Sequence, residues 1–123
     1  MKIAVPADEK SLDLGVCPSF GRAPYFLIYD TETNESKFID NSAAASQGGA
    51  GVKAAQTIID SKADALLTPR CGENAAVAIK AANIKIYKTI DGSIMDNINA
   101  LVEGKLSELV DIHPGFHGHQ GGK

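Results

Sequence analysis

Tryptophan is absent from the 123-residue chain, and the remaining aromatic residues are few, with three tyrosines and four phenylalanines. Proteins that bind single-stranded nucleic acid stack bases on aromatic side chains and attract phosphates with a basic surface. This chain carries a formal net charge of -3, so it meets neither requirement. The composition therefore argues against binding to nucleic acid.

Long apolar segments are also lacking. The sequence contains no run of about 18 apolar residues, the length that a membrane-spanning helix needs. The first ten residues, MKIAVPADEK, hold only a short apolar run, and a secretory signal peptide has a longer one. We therefore expect a cytoplasmic protein that does not contact the membrane.

Cysteine is scarce, and its two copies, Cys17 and Cys71, lie far apart in the sequence. No C-x-x-C motif is present, which argues against a thiol oxidoreductase. In a reducing compartment we expect two thiols rather than a structural disulfide.

The hydrophobic pattern that is present predicts five strands and three helices. The predicted strands are 2–7, 25–30, 36–41, 63–68 and 84–89, and the predicted helices are 52–62, 73–83 and 94–105. In the first helix Val52, Ala55, Ile58 and Ile59 recur at helical spacing. Gly104 is expected to cap the last helix.

This order of elements predicts an α/β fold with one five-stranded mixed sheet. Strands one to three form an antiparallel meander, and right-handed crossovers then favour the sheet order 3-2-1-4-5. Strand two opposes the other four. We expect a single domain over residues 1–112 and a flexible tail rich in histidine and glycine over 113–123.

Three loops follow strands that end at the same edge of this sheet: 6–24, 41–51 and 68–72. The strand order reverses between strands one and four, which is where open α/β sheets bind ligands. We therefore expect the three loops to form a binding site. The candidate cofactor-binding residues in these loops are Cys17, Arg22, Gly48, Gly49, Gly51, Arg70, Cys71 and Gly72.

These residue types suit a soft, anionic ligand. Cys71 lies beside Arg70 and next to a predicted helix start, and both features lower a thiol pKa and favour the thiolate that ligates soft metals. Backbone N–H groups of a glycine-rich segment before a helix attract anions. Arginine offers planar hydrogen-bond donors.

Each feature also has a structural interpretation. A lone cysteine is often a small buried hydrophobic residue, and a glycine such as Gly72 can simply satisfy a turn. Arg22, Arg70 and Lys53 can be solvated surface residues. The glycine run lacks the GK[ST] ending of a phosphate-binding P-loop.

The tail holds three histidines, His113, His117 and His119, in an H-x3-H-x-H pattern. Such a pattern binds nickel, copper or zinc, so we take these histidines, with Cys17 and Cys71, as candidate metal ligands. The alternative is a tail whose histidines are incidental.

Four segments together resemble a known family: MKIAVPADE (1–9), FGRAPYFLIYD (20–30), ADALLTPRCGENAAVAIKAANIKIY (63–87) and DGSIMDNINALVEGKL (91–106). They are similar to the dinitrogenase iron–molybdenum cofactor-binding family over nearly all of the chain up to about residue 110. The resemblance implies a ribonuclease H-like α/β fold. Family members often have histidine immediately before FG, where this chain has Ser19.

The resemblance also implies a function, because characterised members bind or carry metal–sulfur clusters. We therefore expect non-enzymatic binding or carriage of an anionic iron–molybdenum–sulfur or molybdenum–copper–sulfur cluster, in cluster biosynthesis. The expected partners are cluster donor and acceptor proteins, and the expected state is a monomer or weak dimer.

The sequence is also compatible with one other class of function and disfavours another. A regulatory module could bind a small anion or a protein partner at the same edge without a cluster. An enzyme is disfavoured, because a metal-dependent nuclease needs carboxylates in its central strands and KIAVPA has none. A cysteine hydrolase needs a histidine base, and every histidine here lies in the tail.

Overall fold

The computed structural model describes residues 1–45 and 49–109. Its five strands, β1 to β5 in chain order, are Lys2–Ala7, Tyr25–Asp30, Glu35–Asp40, Ala65–Leu67 and Lys85–Tyr87. Its three α-helices, α1 to α3, are Ala50–Asp60, Glu73–Ala81 and Ile94–Val102, and a short 3₁₀ helix spans Ser42–Ala45.

The strands form one sheet in the order β3-β2-β1-β4-β5. β1 pairs antiparallel with β2 and parallel with β4, while β2 pairs antiparallel with β3 and β4 pairs parallel with β5. The predicted α/β class, the order 3-2-1-4-5 and the single opposed strand are confirmed. This mixed sheet with helices packed on it is the ribonuclease H-like arrangement.

Helices cover both faces of the sheet. Successive side chains of a strand point to opposite faces, and on β1 they enter two different cores. Ala4 belongs to a core that includes residues of α1 and α2, whereas Ile3 and Val5 belong to a core that includes residues of α3. The central strand is therefore buried on both sides, which explains its continuous apolar sequence.

Helix α1 begins two residues earlier than predicted. Gly49, its N-cap residue, has a φ of 69°, a left-handed conformation that glycine adopts without strain. The buried residues of α1 are Ala50, Ala54, Ala55 and Ile58. Val52 is 47% exposed, so it lies outside this buried stripe although it shares the helical spacing of Ala55 and Ile58.

Helix α3 ends as the sequence predicts. Gly104 has a φ of 75°, and its N–H donates to the carbonyl of Leu101 at 3.0 Å. The N–H of Lys105 donates to the carbonyl of Ala100 at 2.8 Å. These two bonds form a Schellman motif, so the role of Gly104 as a cap is confirmed.

The long loop between β1 and β2 is anchored to the rest of the molecule. Val16 forms an isolated bridge with Ala7, and Gly15 forms one with Ser93. The N–H of Ile94 donates to the carbonyl of Leu14 at 2.8 Å. The loop is therefore held between the end of β1 and the start of α3.

Gly48, the tail proposed for 113–123 and its three histidines lie outside the described residues. The end of the predicted 1–112 domain, from residue 110 onward, lies outside them as well. Within the part of the chain that is described, no helix is both long enough and apolar enough to cross a bilayer.

Candidate functional site

A cavity of about 400 Å³ opens at the carboxyl edge of the sheet. Segments after β1 and β4 and the first turn of α1 form its walls. The lining residues are Pro18, Ser19, Phe20, Gly21, Gly51, Arg70, Cys71 and Gly72. The three loops that the topology predicts to converge therefore do so.

Two of these segments touch through glycine backbones. A Cβ atom placed on Gly21 would lie 3.1 Å from the nitrogen of Gly51 and 3.2 Å from its Cα. Those distances are too short for an ordinary carbon contact, and the atoms concerned are backbone atoms that cannot swing aside. Gly21 therefore lets the β1–β2 loop pack directly on the first turn of α1.

Asn41 holds the end of the β1–β2 loop to the segment after β3 by hydrogen bonds. Its side chain is buried, and its Nδ2 donates to the carbonyls of Ala23 at 2.8 Å and Gly21 at 3.3 Å. Its Oδ1 accepts the N–H of Ala43 at 3.2 Å. The sequence pattern places Asn41 only at the end of strand three. The available signal was asparagine at a strand end, where it commonly forms an Asx turn.

Helices α1 and α2 both begin at the cavity, and each is preceded by glycine. The N-cap residues are Gly49 and Gly72, and neither helix start has a side-chain cap. Gly51 and Gly72 line the cavity itself. A smaller cavity of about 220 Å³ between the two helix starts continues this surface. First-turn N–H groups carry the positive end of a helix dipole, so the two starts favour an anion.

Helix α3, in contrast, has a closed N-terminus. The Ser93 side chain accepts the N–H of Asp96 at 3.0 Å, and the Asp96 carboxylate accepts the N–H of Ser93 at 3.0 Å. Carbonyls of the β1–β2 loop accept the N–H groups of Ile94 and Met95. Among the three α-helices described, the two that begin at the cavity therefore lack side-chain caps, and the one that begins elsewhere has one.

Arg70 provides a full positive charge among the lining residues. Its backbone is held by Thr68, a fully buried residue whose hydroxyl donates to the Arg70 carbonyl at 2.8 Å. Arg22 is placed differently, since its N–H donates to the carbonyl of Ser19 at 3.2 Å but it is outside the cavity lining. Of the two predicted arginines, the structure brings Arg70 to the cavity.

The two cysteines are buried in the core beneath the cavity. Cys71 is 2% exposed and lines the cavity, while Cys17 is 4% exposed and does not. The Cys17 thiol donates to the carbonyl of Ser19 at 3.6 Å. Both belong to the core that packs against α1 and α2, so the loops bring the cysteines to one region but present only Cys71 to the cavity.

Both thiols are hard to ionise. Burial raises the pKa of Cys71 from its ordinary value of 9.0 to about 11, with the positive charge of Lys80 opposing the rise. Burial also raises the pKa of Cys17, and the neighbouring Asp8 adds to that rise. The expectation that Arg70 and a helix start lower the Cys71 pKa is wrong, because desolvation outweighs them.

The described residues contain no group of three or more histidine, cysteine, aspartate or glutamate residues placed to hold a metal ion. The chemistry of the cavity is instead that of an anion site, with backbone donors, one guanidinium and a protonated thiol. Its volume falls in the range of small-ligand pockets. These residues therefore fit a compact anion better than a bare cation.

Solved structures resemble this chain closely. The apo form of the orange protein from Desulfovibrio gigas superposes with a TM-score of 0.84 at 32% identity, covering 89% of this chain and 92% of that one. A Thermotoga protein provisionally assigned as NifB gives a TM-score of 0.78 at 34% identity, covering 90% of this chain and 95% of that one.

Sequence comparison agrees with the structural comparison. An uncharacterised protein of Methanocaldococcus jannaschii is 33% identical over 112 residues, which are 89% of this chain and 92% of the relative. The family model described as dinitrogenase iron-molybdenum cofactor matches residues 1–104. The chain therefore belongs to the dinitrogenase iron-molybdenum cofactor family.

Proposed function

We propose that this protein binds and carries an anionic metal–sulfur cluster in the cavity at the carboxyl edge of its sheet. One observation carries the proposal. Two helices that lack side-chain caps start at the same cavity, and Arg70 lines it as well. A multiply charged sulfide cluster gains from each of these groups, and a neutral or cationic ligand does not.

The comparisons support a molybdenum-containing cargo. The family model is named for the iron–molybdenum cofactor of dinitrogenase, and the orange protein and a NifB assignment are among the similar structures. We infer a cluster of the iron–molybdenum–sulfur or molybdenum–copper–sulfur type. The protein would receive it from a donor protein and pass it to an acceptor during cluster assembly.

The position of each residue at the cavity indicates its role in holding the cluster. Backbone N–H groups around Gly51 and Gly72 would hold sulfide atoms, and Arg70 would balance the charge of the cluster. Cys71 is the thiol that faces the cargo, whereas Cys17 supports the wall behind the loop. A cysteine must lose its proton to ligate a metal. Burial raises the pKa of the Cys71 thiol in the apo protein, so the proposed first contact with the cargo is made by the backbone N–H groups and Arg70 rather than by a thiolate.

A non-enzymatic role suits this arrangement. The protein would hold a preformed cluster and release it, with no bond made or broken in the polypeptide. Reversible holding through charge and hydrogen bonds allows transfer to an acceptor without the removal of thiolate ligands.

Reconstitution under anaerobic conditions tests the proposal. The protein is mixed with thiomolybdate and copper(I), or with iron, sulfide and molybdate, and desalted, and the visible charge-transfer bands are recorded. We expect the wild type to retain a coloured cluster and Arg70→Gln to retain much less. Arg22→Gln is the matched control, since it removes an arginine outside the cavity lining. If no mixture gives a retained band, or if Arg70→Gln loads as well as Arg22→Gln, the proposal is wrong.

A regulatory module that binds a small oxoanion is the second candidate. It is favoured by the protonated state of both thiols, since an oxoanion needs no thiolate ligand. Molybdate or phosphate would then raise the thermal unfolding temperature in an Arg70-dependent way, and no sulfide cluster would be retained.

A further inference from the structure

A second and larger cavity, of about 500 Å³, lies towards the amino ends of β1 and β4, whereas the first cavity lies at their carboxyl ends. It forms a groove between the carboxyl end of α1 and strands β2 and β3. The groove residues used below are Lys2, Ile28, Lys37, Ile39, Asp60 and Lys62. Lys2 begins β1 and Lys62 precedes β4, so the groove is remote from the cavity at the carboxyl ends of these strands.

The floor of the groove is a part of the sheet that α1 leaves uncovered. Strand register places Ala4, Ile28 and Lys37 in one row across β1, β2 and β3. Ala4 is fully buried in the core beneath α1 and α2, Ile28 is partly buried, and Lys37 is exposed. The row therefore leaves the core and reaches solvent at β3, where Ile39 is also only partly buried.

The charge of the groove is opposite to that of the whole molecule. Three lysines line it together with a single carboxylate, Asp60, although the chain has a net charge of -3. The Asp60 carboxylate already accepts the Gln56 amide at 2.9 Å. Over residues 1–45 and 49–109, none of the three lysine ammonium groups forms an ion pair.

Strand β3 also offers backbone groups. It is an outer strand of the sheet and has six residues. In the described structure its only strand partner is β2. Every second N–H and C=O along such an edge points away from the sheet and can pair with another strand. A lysine on an edge strand commonly discourages unwanted pairing with another strand. Here Lys37 lines the same groove as Lys2 and Lys62, so the three form a local positive charge that favours an acidic strand.

We propose that this groove and the β3 edge form a docking surface for an extended acidic segment of a partner protein. The segment would add a strand to β3, place acidic side chains beside Lys37 at the open side of the groove that Lys2 and Lys62 also line, and place apolar side chains on the other face beside Phe38. Strand addition supplies affinity through the backbone and specificity through alternate side chains. Because the groove lies at the other ends of β1 and β4 from the cargo cavity, a partner bound there would leave that cavity open.

The probe for the test is a fluorescent peptide of about eight residues that alternates glutamate and valine, which spans the six-residue strand. We expect fluorescence anisotropy to show saturable binding that weakens as the salt concentration rises. Lys37→Glu should weaken binding about tenfold or more, because it reverses a central charge. Lys88→Glu, the same change at an exposed site outside the groove, should leave it unchanged. Both substituted residues are exposed, and circular dichroism checks that the variants fold.

Two further peptides separate strand addition from simple charge attraction. A lysine–valine peptide should not bind. A glutamate–valine peptide that is N-methylated at alternate residues, so that the edge facing β3 has no donors, should bind at least about tenfold more weakly. Equal binding of the methylated peptide, or of Lys37→Glu and Lys88→Glu, would overturn the proposal. So would concentration-dependent dimerisation that Lys37→Glu abolishes, since the occupant would then be a second copy. Cluster loading is not measured here, so these outcomes are independent of the proposed function.

Discussion

Cys71 is a neutral thiol at the cavity wall, and its raised pKa connects its ionisation to folding. Below pH 9.0 the thiol is protonated in both folded and unfolded chains. Above that value the unfolded chain ionises, while the folded chain keeps its proton until about pH 11. The folded state binds more protons in this window, so its stability falls as pH rises.

We predict that the apo protein loses about 2 kcal/mol of unfolding free energy to this residue between pH 9.0 and 11. Chemical denaturation at several pH values measures it. Cys71→Ala should be less stable at neutral pH, because it loses buried contacts, but its stability should fall less steeply with pH. Parallel curves for wild type and Cys71→Ala would show that the thiol ionises normally in the folded protein.

Gly21 is the second residue on which the cavity depends. A methyl group there would meet the Gly51 backbone at 3.1 Å, so the β1–β2 loop and α1 must separate. We predict that Gly21→Ala lowers the unfolding free energy by about 1–3 kcal/mol and weakens cargo retention. Gly15→Ala is the control, since its nearest new contact, to the Gly92 carbonyl, is 3.9 Å. Equal stability of the two variants would mean that the loop is not held against α1.

At the scale of single elements, α1 and α2 lack the stabilising side-chain cap that α3 has. Gly72 has φ -68° and ψ 156°, a conformation that serine and aspartate adopt readily. A Cβ atom there would meet nothing within 4 Å. The site could therefore hold a capping side chain, and in this chain it holds glycine.

We predict that Gly72→Ser and Gly72→Asp each raise apo stability by a few tenths of a kcal/mol, because serine and aspartate cap a helix slightly better than glycine does. Both side chains would occupy N–H groups that the cargo uses, and aspartate would also repel an anion. Cargo retention should therefore fall in the order glycine, serine, aspartate. Thermal unfolding and the reconstituted visible band measure the two effects. Undiminished retention by Gly72→Asp would remove the α2 start from the site.

The strand and helix pattern could be predicted from the sequence because it depends on local periodicity. The spans of β1 and β2 match the prediction to the residue, since each is a short run dense in apolar and β-branched residues. The start of α1 was missed, because the left-handed conformation of Gly49 is not visible in the sequence pattern. The β1–β2 loop was not expected to bridge to Ser93, since that contact joins residues far apart in the chain.

The site could be predicted only in part, for a related reason. The sheet topology alone predicts that Gly51, Arg70 and Gly72 lie close together, and all three line one cavity. The ionisation of Cys71 was predicted in the wrong direction, because burial is a property of the folded molecule. Asn41 was missed for the same reason, since nothing in the sequence shows that its amide is buried between two loops.

At the scale of the whole molecule, the proposed anion site occupies one end of the strands in a protein whose net charge is negative. The attraction must therefore come from local dipoles and Arg70 rather than from the overall field. Cargo should then affect the backbone only where uncapped N–H groups meet it. The three helices of this fold offer an internal comparison, because two begin at the cavity and the third is closed.

We predict that cargo slows hydrogen exchange of the first-turn amides of α1 and α2, around Gly51 and Glu73, by several-fold or more. First-turn amides have no hydrogen-bond partner inside the helix, so they exchange without any opening of the helix, and a bound anion protects them directly. The amides of Ile94 and Asp96 in α3 already donate to Leu14 and Ser93 and should not change. Exchange measured by NMR on apo and loaded protein under anaerobic conditions gives both sets at once. An anion held at the starts of α1 and α2 should slow exchange in those two helices and not in α3. Similar slowing in all three helices would instead indicate general stabilisation of the fold and would contradict the proposed site.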